Sequence, residues 1–127
     1  MNSNGAVSWR ELLTEAESQL ADANEARWIC EHASGCDRAQ FLASLDDFVT
    51  VTMAENLHKM LDQRLQGEPL QYVMRRWDFR HLDVMVDDRV LIPRSETEQV
   101  VEVALGLARE LQDSLSRRIT IVDVGTG

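Results

Sequence analysis

Residues Asp123-Val-Gly-Thr-Gly127 place a carboxylate and two glycines directly behind an apolar run, Ile119-Thr-Ile-Val122. Such a run, apolar without clean alternation, reads as a strand at the centre of a parallel sheet. Glycines behind it let the backbone pass close beneath a ligand and adopt torsions that other residues avoid. A carboxylate at the strand end can hold an ammonium group or order the loop. The segment lacks Gly-Lys-Ser/Thr, so it is not a phosphate-binding P-loop. Glycine after a strand also marks many plain turns, and a ligand loop of this kind needs a helix and further strands behind it.

Cys30, His32 and Cys36 are the other residues with ligating chemistry close together. Their spacing fits no common zinc pattern, and no metal site is assigned. Cys30 falls on an apolar helical stripe and reads as a core residue, with both thiols reduced.

The elements that must position these groups change character at Gly67. Before it the chain reads as a small helical bundle over residues 1–66. Ser8 and Glu11 form a capping box, and Trp9, Leu12, Leu13, Ala16 and Leu20 follow at helical spacing. A second helix spans about Ala23 to Ala33 and is stopped by Ser34-Gly35. Asp37 with Gln40 opens a third helix, carrying Phe41, Leu42 and Leu45. Thr52 with Glu55 is expected to cap a fourth, whose face is Met53, Leu57, Met60, Leu61 and Leu65. Gly67 closes it, and Pro69 blocks its return. Four short helices can share a core but leave little room for a deep pocket. Trp9, Trp28, Phe41, Met53 and Met60 are therefore expected to be packing residues.

Residues 67–90 read as a linker with a β-hairpin. Trp77, Phe79, Leu82, Val84 and Val86 alternate with polar residues around a tight turn near Arg80–Leu82. Val90-Leu91-Ile92 is a short apolar segment stopped by Pro93. Ser95 and Glu98 suggest another capping box, ahead of a helix with Val100, Val101, Ala104, Leu107, Ala108 and Leu111 on one stripe. A polar link from Gln112 to Arg118 leads into the closing strand.

Net charge is −9. Residues 1–66 carry 5 basic and 11 acidic groups, and residues 67–127 carry 8 and 11. Neither part has the basic excess that direct nucleic-acid binding needs. Arg75, Arg76 and Arg80 are the only local basic cluster. No apolar run approaches the ~20 residues of a membrane span. Met1-Asn-Ser-Asn-Gly5 has neither the basic start nor the apolar core of a secretory leader. A cytoplasmic location is the expectation.

Gly67-Glu-Pro-Leu-Gln-Tyr72 followed by Leu91-Ile-Pro-Arg-Ser-Glu-Thr-Glu98 and then Asp123-Val-Gly-Thr-Gly127 resembles the HemK/PrmC family. Those enzymes methylate a glutamine in peptide chain release factors. The resemblance runs from about Ala23 to Gly127, and its motifs are jointly far more specific than any one alone. It departs from the family at Met74-Arg75, where Thr-Gly is usual, and at Ser95, where Pro is usual. Ser caps a helix that Pro would start, so that change should be tolerated.

The fold that the resemblance implies is mainly α. A helical bundle over 1–66 is the substrate-recognition domain and 67–90 the hairpin linker. Residues 91–127 then supply the first helix and strand of a truncated Rossmann-like methyltransferase domain. It also implies S-adenosylmethionine as cofactor and a release factor as protein partner, and it leaves the oligomeric state open. Asp123, Gly125, Thr126 and Gly127 match the cofactor loop, and Phe79 matches a hairpin aromatic near the cofactor. Pro93 and Arg94 match the motif bordering the substrate. Each has a plainer alternative: hairpin packing for Phe79, and for Arg94 an exposed helix-start residue paired with Glu96 or Glu98. His32, His58 and His81 match no functional position. The family's Asn-Pro-Pro-Tyr motif is absent from these 127 residues, so they hold no catalytic residue and are expected to be inactive alone. Two other readings stay open: a non-catalytic helical protein-binding module, and part of a methyltransferase with another substrate.

Overall fold

The structure is a computed structural model that describes residues 5–126. Gly127, and Met1–Asn4 of the leader reading, lie outside the described residues. The chain divides between Met74 and Arg75 into two compact units.

The first unit holds five helices: α1 (Trp9–Gln19), α2 (Ala23–Ser34), α3 (Arg38–Ala43), α4 (Val51–Leu65) and α5 (Leu70–Met74). Local chemistry sets their ends. The capping boxes of Ser8 with Glu11 and Asp37 with Gln40 both form, which satisfies N–H groups that have no partner inside the helix. Gly35 ends α2 at φ +70°, a left-handed torsion that glycine takes without strain. The cap of α4 differs from expectation. Thr50, not Thr52, accepts the Met53 N–H, at 3.2 Å. Val51 thus becomes the first helical residue, outside the apolar stripe and 75% exposed.

Leu12, Ala16, Ile29, Phe41, Leu57 and Leu61 meet in one core, with Trp9 edge-on to Phe41 at 5.7 Å between ring centroids. Trp9, Phe41 and Met60 pack as expected, whereas Trp28 and Met53 stay partly exposed. The sequence reading closed the bundle at residue 66. Yet Pro69 starts a further helix, its carbonyl accepting the N–H groups of Tyr72 and Val73, both at 3.0 Å. That helix buries Leu70 and Val73 in the same core. Arg64 ties the segment down. Its guanidinium makes a two-pronged pair with Glu25 of α2, at 2.8 and 3.2 Å, and reaches the Glu68 carbonyl at 3.4 Å.

The second unit holds β1 (Arg76–Phe79), β2 (Leu82–Met85) and α6 (Ser95–Leu115). The strands pair antiparallel, with Trp77 opposite Val84 and Phe79 opposite Leu82, so the predicted hairpin forms with Arg80-His81 as its turn. The expected strand from Ile119 does not form. Residues 118–126 have no regular structure, and Ile121, Val122 and Val124 are exposed. A strand is defined by its ladder, and among the described residues β1 and β2 pair only with each other.

The candidate loop and the hairpin clamp

The sequence marks three places in the second unit, and the structure treats each differently. At the closing loop, Gly125 has φ +81°. A Cβ there would meet no atom within 4 Å. Glycine is therefore required by torsion and not by space. Asp123 and Thr126 are exposed beside it. Gly127, the second glycine of the loop, lies outside the described residues.

Phe79 ends β1, half-buried, immediately before the hairpin turn. Pro93 is half-buried, and Arg94 is exposed as the N-cap of α6. Arg94 makes no side-chain cap bond; its carbonyl accepts the Thr97 N–H at 3.0 Å. The capping box expected from Ser95 and Glu98 is absent: the helix starts one residue early, with Arg94 as N-cap and Ser95 already helical, and the Glu98 carboxylate bonds Arg80 instead.

That engagement is a clamp between hairpin and helix. The Arg80 N–H donates to Glu98 Oε1 at 2.8 Å, and Arg80 Nη1 donates to the Glu98 carbonyl at 3.4 Å. Arg80 Nη2 also pairs with Glu102 Oε2 at 2.6 Å. Arg80 has φ +56°, a torsion that favours glycine at a two-residue hairpin turn. Arg80 holds this torsion with two acidic partners on α6. A shallow groove of about 460 Å³ runs over the clamp, lined by Arg80, His81, Ser95, Glu98, Gln99 and Glu102. In sequence Arg80 directly follows Phe79, and Glu98 lies four residues after Arg94. Sequence reasoning took Glu98 for a cap, because Ser-x-x-Glu spacing is local and an 18-residue partner is not.

The basic cluster is likewise largely neutralised. Arg76 forms a two-pronged pair with Asp83, its Nε at 3.1 Å, and Arg80 is held as above. Nearby, the guanidinium and backbone N–H of Arg89 bond Asp87 and hold its carboxyl down to about 2. In the first unit, burial pushes the Cys30 thiol up to about 12. That opposes the thiolate that a metal would need.

Comparison with known proteins joins these observations. The model of the PrmC N-terminal domain matches residues 11–74.

The chain belongs to the PrmC N-terminal domain family.

The match ends at the boundary between the two units, at Met74. Full-length relatives extend it. The release factor glutamine methyltransferase of Haemophilus influenzae is 34% identical over 128 residues, covering 95% of this chain and 44% of that protein. Its namesake in Xylella fastidiosa is 37% identical over 116 residues, covering 91% and 40%. That of Bacillus subtilis is 34% identical over 121 residues, covering 92% and 42%. The chain thus spans less than half the length of these relatives. Among the described residues, no helix is long and apolar enough to cross a membrane.

Proposed function

We propose that this chain is the N-terminal part of a release factor glutamine methyltransferase, and that the longer protein methylates the side-chain amide of a glutamine in a peptide chain release factor. One observation carries the reading. The relatives match 91–95% of the chain, so the likeness runs beyond the bundle through the hairpin and the Leu91–Glu98 motif. In this reading the bundle recognises the protein substrate, and the second unit opens the catalytic domain in the cytoplasm.

S-adenosylmethionine is the proposed cofactor, and it would supply the methyl group. The donor set fits such a group in kind: an exposed carboxylate at Asp123, a left-handed glycine at Gly125 and a hydroxyl at Thr126. Gly127 would complete the turn. Phe79 would wall the cofactor from the hairpin, and Pro93 with Arg94 would border the substrate. Enclosure requires further walls, because residues 118–126 are exposed and pair with no strand. The 127 residues also lack the Asn-Pro-Pro-Tyr motif that would orient the amide. Activity is therefore assigned to the longer protein, and the 127-residue chain by itself is proposed to be inactive.

The test is methyl transfer by the full-length protein from labelled S-adenosylmethionine to a purified release factor, with the product mapped by mass spectrometry. One methyl group on a glutamine side chain is expected. Label on a different residue type, or no transfer, would overturn the proposal.

A further inference from the structure

We infer that Glu98 is a positioning residue, which holds the hairpin on α6 so that Phe79 and the Pro93-Arg94 segment keep one fixed spacing. The inference rests on the methyltransferase reading, because its consequence is read in cofactor binding.

Three observations carry it. First, Arg80 occupies a turn position at φ +56°, where glycine would be free of strain. The cost of that torsion lies in the backbone and Cβ, so a bond to the Arg80 N–H is placed where it can steady the turn. Second, that bond comes from α6. Glu98 accepts the Arg80 N–H at 2.8 Å, its carbonyl receives Arg80 Nη1 at 3.4 Å, and Glu102 takes Nη2 at 2.6 Å. The two bonds to Glu98 are part-buried, so water competes less for them than for the pair with Glu102, whose side chain is 65% exposed. Third, the two ends of the clamp adjoin the two proposed site segments. Arg80 follows Phe79 directly, and Glu98 lies one helical turn after Arg94. Losing the Glu98 carboxylate removes the one bond to the turn's backbone; the Glu98 carbonyl and Glu102 then grip only the far end of the Arg80 side chain, so the turn next to Phe79 is held less firmly against a bound ligand.

The experiment uses the full-length protein and measures S-adenosylmethionine affinity by calorimetry, release factor affinity by a separate titration, and hydrogen exchange of the Arg80 amide. Glu98→Ala should speed that exchange and weaken cofactor binding about tenfold, the scale of one charge-assisted hydrogen bond. Release factor affinity should change less than about twofold. Glu98→Gln keeps an acceptor for the Arg80 N–H and should recover most of the loss. Should Glu98→Ala not fold, Arg80→Gly provides the second arm. It relieves the torsion, keeps the N–H bond to Glu98, and should weaken cofactor binding less than about threefold. Wild-type cofactor affinity in Glu98→Ala with a fast-exchanging Arg80 amide would overturn the inference, leaving Glu98 a turn anchor only. A larger loss in Arg80→Gly than in Glu98→Ala would also overturn it. Failure of the wild-type protein to bind S-adenosylmethionine would instead sink the methyltransferase reading on which it rests.

Discussion

Residues 5–74 and 75–126 are both rich in amphipathic segments, but they bury their apolar side chains to very different extents. Thirteen side chains of the first unit form one buried cluster. In the second, the 21-residue helix α6 buries none of its residues. On its predicted stripe Val100, Leu107 and Leu111 are 53 to 66% exposed, and Val101 and Ala108 are no more than half-buried. The difference does not lie in helix chemistry, because α6 is as strongly patterned as α1 or α2. It lies in partners. Helices α1, α2, α4 and α5 each find another apolar face within 74 residues. Among the described residues, α6 has only a two-stranded hairpin in its unit. Amphipathic pattern states what an element wants to bury, and connectivity decides whether it can.

The largest test of this contrast is core truncation in the 127-residue chain. Leu57→Ala or Phe41→Ala should lower unfolding free energy by about 3–5 kcal/mol, through lost burial and a residual cavity. Leu107→Ala, already half exposed, should cost less than about 1 kcal/mol. Denaturant unfolding of the three variants checks this, and equal costs would remove the distinction between the units. A smaller effect sharpens it inside the bundle. Arg64→Ala should cost about 1 kcal/mol, since the Glu25 pair is only partly shielded from water. A double-mutant cycle with Glu25→Ala isolates the coupling.

Much of this architecture was legible locally, and its failures have a common cause. The boxes at Ser8/Glu11 and Asp37/Gln40 could be read because cap and partner lie three residues apart. The hairpin could be read because alternation and a two-residue turn are also local. Ser95/Glu98 obeyed the same local rule and failed, because the helix begins one residue earlier, with Arg94 as its cap, and Glu98 bonds Arg80 from 18 residues away. The strand at Ile119 failed similarly: its sequence suits a sheet centre, but a strand needs neighbours that no local pattern supplies. Helix α5 was missed because Pro69 reads as a stop, although proline is also well suited to starting a helix. Within the candidate site, the torsion of Gly125 was foreseeable from residue type. The clamp between Arg80 and Glu98 was not.

Two titrations provide finer tests of the contrast. The buried Cys30 thiol should resist a thiol reagent near pH 8 until the bundle unfolds, whereas the half-exposed Cys36 should react in the native state. The sign follows from the raised value. The unfolded thiol ionises from about 8.5, while the folded one stays protonated to about 12. The Cys30 contribution to stability is therefore complete below about 8.5 and is lost as pH rises from there toward 12. Asp87 runs the other way. Its carboxyl, held down to about 2 by Arg89, favours the folded state above the ordinary value of about 3.9, and that preference is lost as pH falls through 2. Arg89→Ala should return its midpoint toward about 3.9 in a carboxyl-carbon NMR titration. The shift should be clear and the stability change small, because the Arg89 side chain is 76% exposed to water.

Native-state amide hydrogen exchange on the 127-residue chain tests the two-unit account most directly. The slowest amides should lie in α1, α2, α4 and α5 and exchange only through global unfolding of the bundle. The amides of α6 should exchange faster, through local opening, and residues 118–126 should be essentially unprotected. Protection in α6 equal to that of α2 and α4 would contradict the claim that only the first unit has closed its core.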